Sequence, residues 1–288
     1  MALVVATGFF DGVHTGHRLV LRELVRSAKE RGGDSLVITF WPHPRNVLQD
    51  DARDLRLLTS LQEKKLLLSA LGVDWVEVMP FSREFSRMTT DQYLREVIRG
   101  RFGAEAIVLG YDNRLGSDLL DPSETEVLAR RIGLDVIRTP RGENASSTQI
   151  RAALMEGRIG DANAMLGYKY SLHGVVVAGN RLGRTIGFPT ANMALYEPLK
   201  LIPCNGVYAV EVETLGKYYR GMCNIGVRPT VSSVEVRTIE THIFDFDEDI
   251  YGLDVRISFL RKIRDERPFP SLEALRKQLI LDKVEASK

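Results

Sequence analysis

Gly8-Phe9-Phe10-Asp11-Gly12-Val13-His14-Thr15-Gly16-His17 follows directly on an apolar run, Ala2–Thr7, and leads into a helix-patterned segment, Arg18–Arg31. A strand, a glycine-bearing turn and a helix in that order open a βαβ unit. The alternation then continues outward. Apolar, β-branched runs recur at Ser35–Phe40, Trp75–Met79, Ala106–Leu109 and Leu134–Ile137, separated by helix-patterned stretches at Leu61–Leu71, Thr90–Arg101 and Ser123–Ile132. This pattern predicts an α/β domain built on a doubly wound parallel sheet covered on both faces. A further helix is expected from Ser146 to about Glu156.

From about Leu172 the texture changes. Short runs at Gly174–Val177, Gly206–Glu213, Tyr218–Asn224, Arg237–Phe244 and Val255–Leu260 are separated by Gly, Pro, Asn and Asp, and helical period returns only at Ser271–Val284. That predicts a small antiparallel β-barrel or sandwich closed by a C-terminal helix, with Ser271 capping the helix. The junction falls near Glu156–Tyr170, where Gly157, Gly160 and Gly167 interrupt the helical pattern. Two unlike domains are expected, spanning 1–157 and 165–288, within a chain of 288 residues.

Composition narrows the function. Lys and Arg number 39 against 38 Asp and Glu, a formal net charge of +1, so no global field favours nucleic acid or a membrane surface. The longest apolar stretch, near Met1–Phe10, is interrupted by Thr7 and Gly8, is too short to span a bilayer and has no basic leader before it. Cys204 and Cys223 form neither a metal spacing nor a disulfide framework. These features lead us to expect a cytoplasmic protein with reduced thiols.

The opening string is suited to phosphate chemistry. A glycine-bearing turn admits a phosphate close to the backbone, and the helix start adds orphan N–H donors and the positive end of a dipole. His14 and His17 stand three apart at that end, so both rings can face one anion. Imidazoles so placed suit a triphosphate and the charge that develops on a leaving pyrophosphate. No side chain of the string is an obvious covalent nucleophile, which points to direct attack by a substrate phosphate on the α-phosphorus of a nucleotide. A simple turn with two surface histidines is the competing reading. Near the end of the domain, Ser146-Ser147-Thr148-Gln149-Ile150-Arg151 places hydroxyls and N–H groups at a helix start with a guanidinium one turn later. It is either a second anion clamp or an N-cap followed by a surface arginine.

Together these strings resemble the G-x-F-D-G-x-H-x-G-H and S-S-T-x-x-R elements of the HxGH nucleotidylyltransferases, in their flavin adenylyltransferase version. Thr39-Phe40-Trp41-Pro42-His43-Pro44 resembles that family's T-F-x-P-H-P segment, and Gly110-Tyr111-Asp112-Asn113-Arg114-Leu115-Gly116 resembles its G-x-D-F-x-F-G element. The second match departs from the pattern. Asn113 and Leu115 stand where the family usually has phenylalanines, and Ser117–Asp121 replaces a glycine- and charge-rich loop. The resemblance implies a Rossmann-like domain that binds ATP through Gly8, Phe9, Asp11, His14, His17, Asp112, Ser146, Ser147, Thr148 and Arg151, with His14 and His17 catalytic.

The second half has no P-loop and no protein-kinase signature. It has instead Gly183-Arg184-Thr185-Ile186-Gly187-Phe188-Pro189-Thr190-Ala191-Asn192. The glycines suggest a flexible loop over phosphates, with Arg184 as counter-charge. Thr190 and Asn192 are two apart, so on an extended segment their oxygens share a face and suit a water-rich Mg²⁺. A Gly/Pro turn entering a strand is the simpler alternative. The string resembles the G-F-P-T-A-N signature of riboflavin kinases. Asn224-Ile225-Gly226-Val227-Arg228-Pro229-Thr230 is similar to their N-x-G-x-R-P-T, and Ile239–Asp245 followed by Ile250-Tyr251-Gly252 is similar to their E-x-x-x-x-D and L-Y-G stretch. The resemblance implies that Gly183, Arg184 and Gly187 meet ATP, that Thr190 and Asn192 hold the metal, and that Glu240 is the catalytic base. A positioned carboxylate can accept the proton of an attacking primary alcohol. His242, two residues on, is expected to be structural.

Both halves resemble one pairing, the bifunctional bacterial riboflavin kinases/FAD synthetases, over nearly the whole chain. The implied activities are phosphorylation of riboflavin to FMN by ATP and adenylylation of FMN to FAD with release of pyrophosphate, both with Mg²⁺. The implied partners are these small molecules, with no nucleic acid or membrane, in a monomer or weak homo-oligomer. Three alternatives stand beside it. One is a kinase whose first domain is inactive or altered in substrate because of Asn113 and Leu115. The others are a flavin- or nucleotide-binding regulator without turnover, and a nucleotidylyltransferase for another phosphorylated substrate.

Overall fold

The computed structural model describes residues 2–48, 55–111, 113–142, 145–179, 182–228 and 236–288, the side chains at 182, 228 and 236 excepted. The chain folds as two units, Met1–Ser147 and Thr148–Lys288. In chain order the first unit comprises β1 (Leu3–Thr7), α1 (Thr15–Glu30), β2 (Asp34–Trp41), α2 (Pro44–Leu48), α3 (Leu61–Ala70), β3 (Trp75–Pro80), α4 (Thr90–Gln92), β4 (Ala106–Leu109), α5 (Pro122–Arg131) and β5 (Asp135–Arg138). After α4 the helix widens into π-type turns over Tyr93–Arg101, and Phe102 N–H reaches the Val97 carbonyl at 3.2 Å.

All strand pairs of this unit are parallel, in the order β3-β2-β1-β4-β5. The pleat of β1 divides its side chains between two layers. Val4 and Ala6 pack with Leu21 and Leu24 of α1 and Leu68 of α3, whereas Val5 packs with Leu94, Ile98 and Ala129. The expected doubly wound architecture is therefore observed. The chain leaves β1 toward β2 and later returns past it to β4, so the sheet switches direction between β1 and β4. At such a switch point the carboxyl ends of the strands leave a crevice, and the Gly8–His17 string occupies it.

The second unit contains most of α6 (Ser147–Met155), then α7 (Ile159–Leu166), β6 (Ser171–Val177), α8 (Leu182–Thr185), β7 (Ala191–Leu195), β8 (Gly206–Thr214), β9 (Lys217–Arg228), β10 (Val236–Ile243), β11 (Asp254–Arg264) and α9 (Leu272–Ala286). Six antiparallel strands close into a barrel in the order β10-β7-β6-β11-β8-β9. Five of them match the expected runs. The sixth, β7, begins inside the Gly183–Asn192 string, where glycine and proline hide it from a reading by composition. A second departure is α7, placed where three glycines interrupt the pattern. Gly157 and Gly167 adopt left-handed φ values of +75° and +73°, the second as C-cap of α7, so they punctuate two helices rather than forbid one.

The C-terminal helix covers one side of the barrel. Val207, Ala209, Met222 and Phe244 pack with Ala286 and Leu279. The intervening Tyr208 and Val210 are fully buried as well, which is why Val207–Val210 reads as an unbroken apolar run. Ser271 caps α9 as expected, accepting from Ala274 N–H at 3.1 Å. Asp282, 1% exposed, anchors the helix by an ion pair with Arg264 on β11 at 2.8 Å, and Gln278 also donates to it at 2.8 Å. Breaking a buried pair by removing one partner leaves an uncompensated charge, and typically costs about 3–5 kcal/mol. Asp282→Ala should destabilise the barrel unit by about that amount in urea unfolding followed by near-UV circular dichroism.

Candidate active sites

The N-terminal site is a strained turn held from several sides. Phe10, Gly12 and Val13 have φ values of +51°, +82° and +39°, and Phe10 and Val13 are non-glycine residues that bear this strain inside the core. The buried Asp11 carboxylate accepts from Leu58 N–H at 3.0 Å, Thr59 N–H at 3.1 Å and the Thr59 hydroxyl at 3.2 Å. Gly12 N–H donates to the same hydroxyl at 3.1 Å. His14 caps α1, its Nδ1 accepting from His17 N–H at 3.4 Å, and the two imidazoles stack 3.6 Å apart at 20°. Burial, then His14, then Lys64 depress the basicity of His17 well below the ordinary histidine range. Its buried Nδ1 has no hydrogen-bond partner among the described residues.

The serine string meets this turn. The Ser147 hydroxyl donates to the Asp11 carbonyl at 3.0 Å, and a Cβ on Gly16 would lie 3.3 Å from the Ala145 carbonyl. Two segments 136 residues apart in sequence are thus brought together at one point. Thr148 and Arg151 follow Ser147 on α6. Asp112 lies outside the described residues. The departures around it are absorbed by the fold. Leu115 is buried in the core layer that contains Leu94 and Leu109, and the Asn113 amide donates to the Thr7 carbonyl at 3.4 Å. Asp118 accepts from Thr90 N–H at 3.0 Å and from its hydroxyl at 2.7 Å, fixing the loop to the start of α4. His43, beyond β2, packs edge-on against Phe9 at 4.0 Å.

The C-terminal site is made by strand register. Glu240 pairs directly with Asn192 of β7 on one side and with Asn224 of β9 on the other. Directly paired residues project to the same face of a sheet, which places a carboxyl between two amides. Gly179 lies against the Asn192 amide so closely that a Cβ there would collide with it. The string preceding β7 forms a short helical turn. Gly183 lies in α8, and Phe188 N–H returns to the Gly183 carbonyl at 2.8 Å while Ile186 N–H reaches the same oxygen at 3.2 Å. The backbone satisfies its own donors, so the segment is a closed turn. His242 secures its end through Nδ1 to the Pro189 carbonyl at 2.8 Å, in keeping with the structural role expected of it; burial lowers its basicity.

Two cavities open on this arrangement. One, of about 300 Å³, is lined by Arg184, Thr190, Thr241, Asp247, Asp249 and Tyr251 among others. The other, of about 370 Å³, is lined by Gly183, Thr190, Asn224, Glu240, Glu266 and Phe269 among others. Thr190 lines both. Arg184 is exposed, the side chain of Arg228 is not described, and Pro229 and Thr230 lie outside the described residues. Several residues at these sites carry no motif by which the sequence would disclose their part. Lys64 of α3 is fully buried and lies over the Phe9 ring, its one signal being a lysine placed among Leu57, Leu58 and Leu68. The Arg264–Phe269 stretch also lines a cavity, and only the packing of α9 discloses it, whereas Asn224, which opens one of the quoted strings, is brought beside Glu240 by the strand register.

Comparison with known proteins agrees with both halves. A model of the FAD synthetase family matches residues 1–150, and one of the riboflavin kinase family matches residues 166–288. A bifunctional riboflavin kinase/FMN adenylyltransferase of Bacillus subtilis is 36% identical over 289 residues, covering 98% of this chain and 91% of that one. One from Escherichia coli is 36% identical over 294 residues, with the same coverages of 98% and 91%. Among solved structures, a Streptococcus pneumoniae protein described as a macrolide-efflux protein superposes with a TM-score of 0.92 at 33% identity, covering 100% of this chain and 94% of that one. With an FAD synthetase domain and a riboflavin kinase domain in one chain, this protein belongs to the bifunctional riboflavin kinase/FMN adenylyltransferase family.

Proposed function

We propose that residues 165–288 transfer the γ-phosphoryl group of ATP to the ribityl hydroxyl of riboflavin, and that residues 1–157 transfer AMP from a second ATP to the FMN so made. The observation that carries the kinase assignment is Thr190, which lines both cavities while Glu240 lines one of them. In this reading the nucleotide occupies the cavity beside Arg184 and Tyr251, and riboflavin the cavity beside Phe269 and α9. Glu240 accepts the hydroxyl proton as the oxygen attacks phosphorus, and ADP departs. The turn Gly183–Gly187, with Arg184, holds the phosphates. The Thr190 hydroxyl and Asn192 amide oxygen are hard donors of the kind that would hold a Mg²⁺. When bound, the ion offsets phosphate charge.

At the N-terminal site an FMN phosphate oxygen attacks the α-phosphorus of ATP, and pyrophosphate leaves. The backbone of Gly8, Phe9 and Asp11 cradles the nucleotide, with His14 and His17 on one side of the phosphates. Ser147, whose hydroxyl donates to the Asp11 carbonyl, stands at this turn, and Ser146, Thr148 and Arg151 of the same string are its further candidate ATP contacts. No covalent intermediate is required, and both reactions depend on positioning and charge stabilisation. In this reading the substrates are small molecules, handled in the cytoplasm by a monomer or weak homo-oligomer; no helix among the described residues is long and apolar enough to cross a membrane. Kinase activity alone is the second reading, in which the departures at Asn113 and Leu115 leave the first domain inactive or altered in substrate.

Incubating the protein with riboflavin, ATP and Mg²⁺, and separately with FMN, should yield FAD in both reactions by liquid chromatography. FMN accumulating without FAD would select the kinase-only reading. Glu240→Ala should lower FMN formation on the order of 10²- to 10⁴-fold while sparing FAD formation from supplied FMN. His17→Ala should do the reverse. Loss of both activities in either variant would refute the two-site assignment. Gly179→Ala, which forces the Asn192 amide aside, should raise the KM for ATP of the kinase reaction roughly ten- to a hundredfold and leave adenylylation unchanged.

A further inference from the structure

Lys64 is a buried ammonium group. It is 1% exposed on α3, and no carboxylate among the described residues lies within ion-pair distance of it. Its Nζ instead donates to the Thr39 hydroxyl at 3.4 Å and lies 3.6 Å from the centroid of Phe9. Thr39 in turn donates to the Phe9 carbonyl at 3.2 Å, so Lys64 grips one residue of the phosphate turn by both its ring and its backbone. The titratable groups facing it are Asp11 on that turn, which attracts it, and His17 on α1, which it repels; His14 is stacked on His17, and His43 packs against the same Phe9 ring. A buried cation without a close ion-pair partner is costly to keep, and a hydrophobic residue of similar length would fill the space without that cost.

We propose that Lys64 is a positioning residue of the adenylyl-transfer site, holding the Phe9–Asp11 turn in its phosphate-binding shape and placing a positive charge beside His17. This rests on the assignment of that site to adenylyl transfer. Burial first, then His14, then this charge disfavour the imidazolium at His17, so Lys64 adds to what keeps that ring a neutral imidazole able to present one N–H to the nucleotide phosphates. Burial lowers the pKa of the Lys64 ammonium to about 8, opposed by Asp11, so the charge is present at neutral pH and is lost as pH rises through that value. The free enzyme should therefore show a decline in kcat/KM for ATP, in FMN adenylylation, above about pH 8.

The test compares the full-length protein with Lys64→Met and Lys64→Arg. Three readouts are taken: the pH profile of kcat/KM for ATP with FMN as acceptor, the His17 imidazole titration by NMR, and FMN formation from riboflavin as a check on the barrel. Lys64→Met should raise the His17 midpoint and reduce adenylylation roughly a hundredfold, with the kinase reaction unchanged. Lys64→Arg, which cannot lose its charge, should retain adenylylation and shed the decline near pH 8. If Lys64→Met does not fold, the Arg variant decides, because an unaltered decline there overturns the proposal. A Lys64→Met protein with wild-type adenylylation and an unmoved His17 midpoint overturns it too. Wild-type protein that forms no FAD from FMN would overturn the adenylyl assignment instead, and the His17 titration would still judge Lys64.

Discussion

Asp11 carries more of the first site than any other residue. Its carboxylate satisfies two backbone N–H groups and a hydroxyl at Leu58 and Thr59, and its carbonyl receives the Ser147 hydroxyl. Three positive φ values in four residues are held in place by these bonds. A buried carboxylate is expensive unless it accepts several hydrogen bonds, and here the donors come from segments that would otherwise have no reason to meet. The turn after β1, the start of α3 and the start of α6 are thereby fixed to one point. The stacked histidines follow, since His14 is the cap of the helix that this turn launches.

The barrel reaches a comparable result by different means. No single side chain gathers its site. Instead the register of β7, β10 and β9 aligns Asn192, Glu240 and Asn224, and the closed turn ahead of β7 delivers Thr190 beside them. Register is a collective property, set by every pair along the strands. The site thus inherits its precision from the stability of the barrel as a whole, including the Arg264–Asp282 anchor of α9.

Periodicity is enough to read the parallel sheet, because each of its strands is a compact apolar run with a helix after it. It is enough for five barrel strands because they too are compact apolar runs. It fails at β7, whose Ala-Asn-Met-Ala-Leu follows Gly and Pro and carries little apolar signal of its own. It fails at α7 because glycines that end helices look, in a string of letters, like glycines that prevent them. The short strings at Gly8–His17 and Gly183–Asn192 are legible since their residue types are constrained by backbone approach to phosphate. Lys64 and the α9 wall are not, because their placement comes from tertiary packing between segments that have no local pattern in common.

Thr190 stands in the wall shared by the two barrel cavities. Were an occupant of one cavity to turn that residue, it would reshape the wall of the other. Thermodynamic linkage makes that effect reciprocal: whatever the first molecule does to the affinity of the second, the second does to the first by the same factor. The order in which the two molecules arrive cannot change the size of any such coupling.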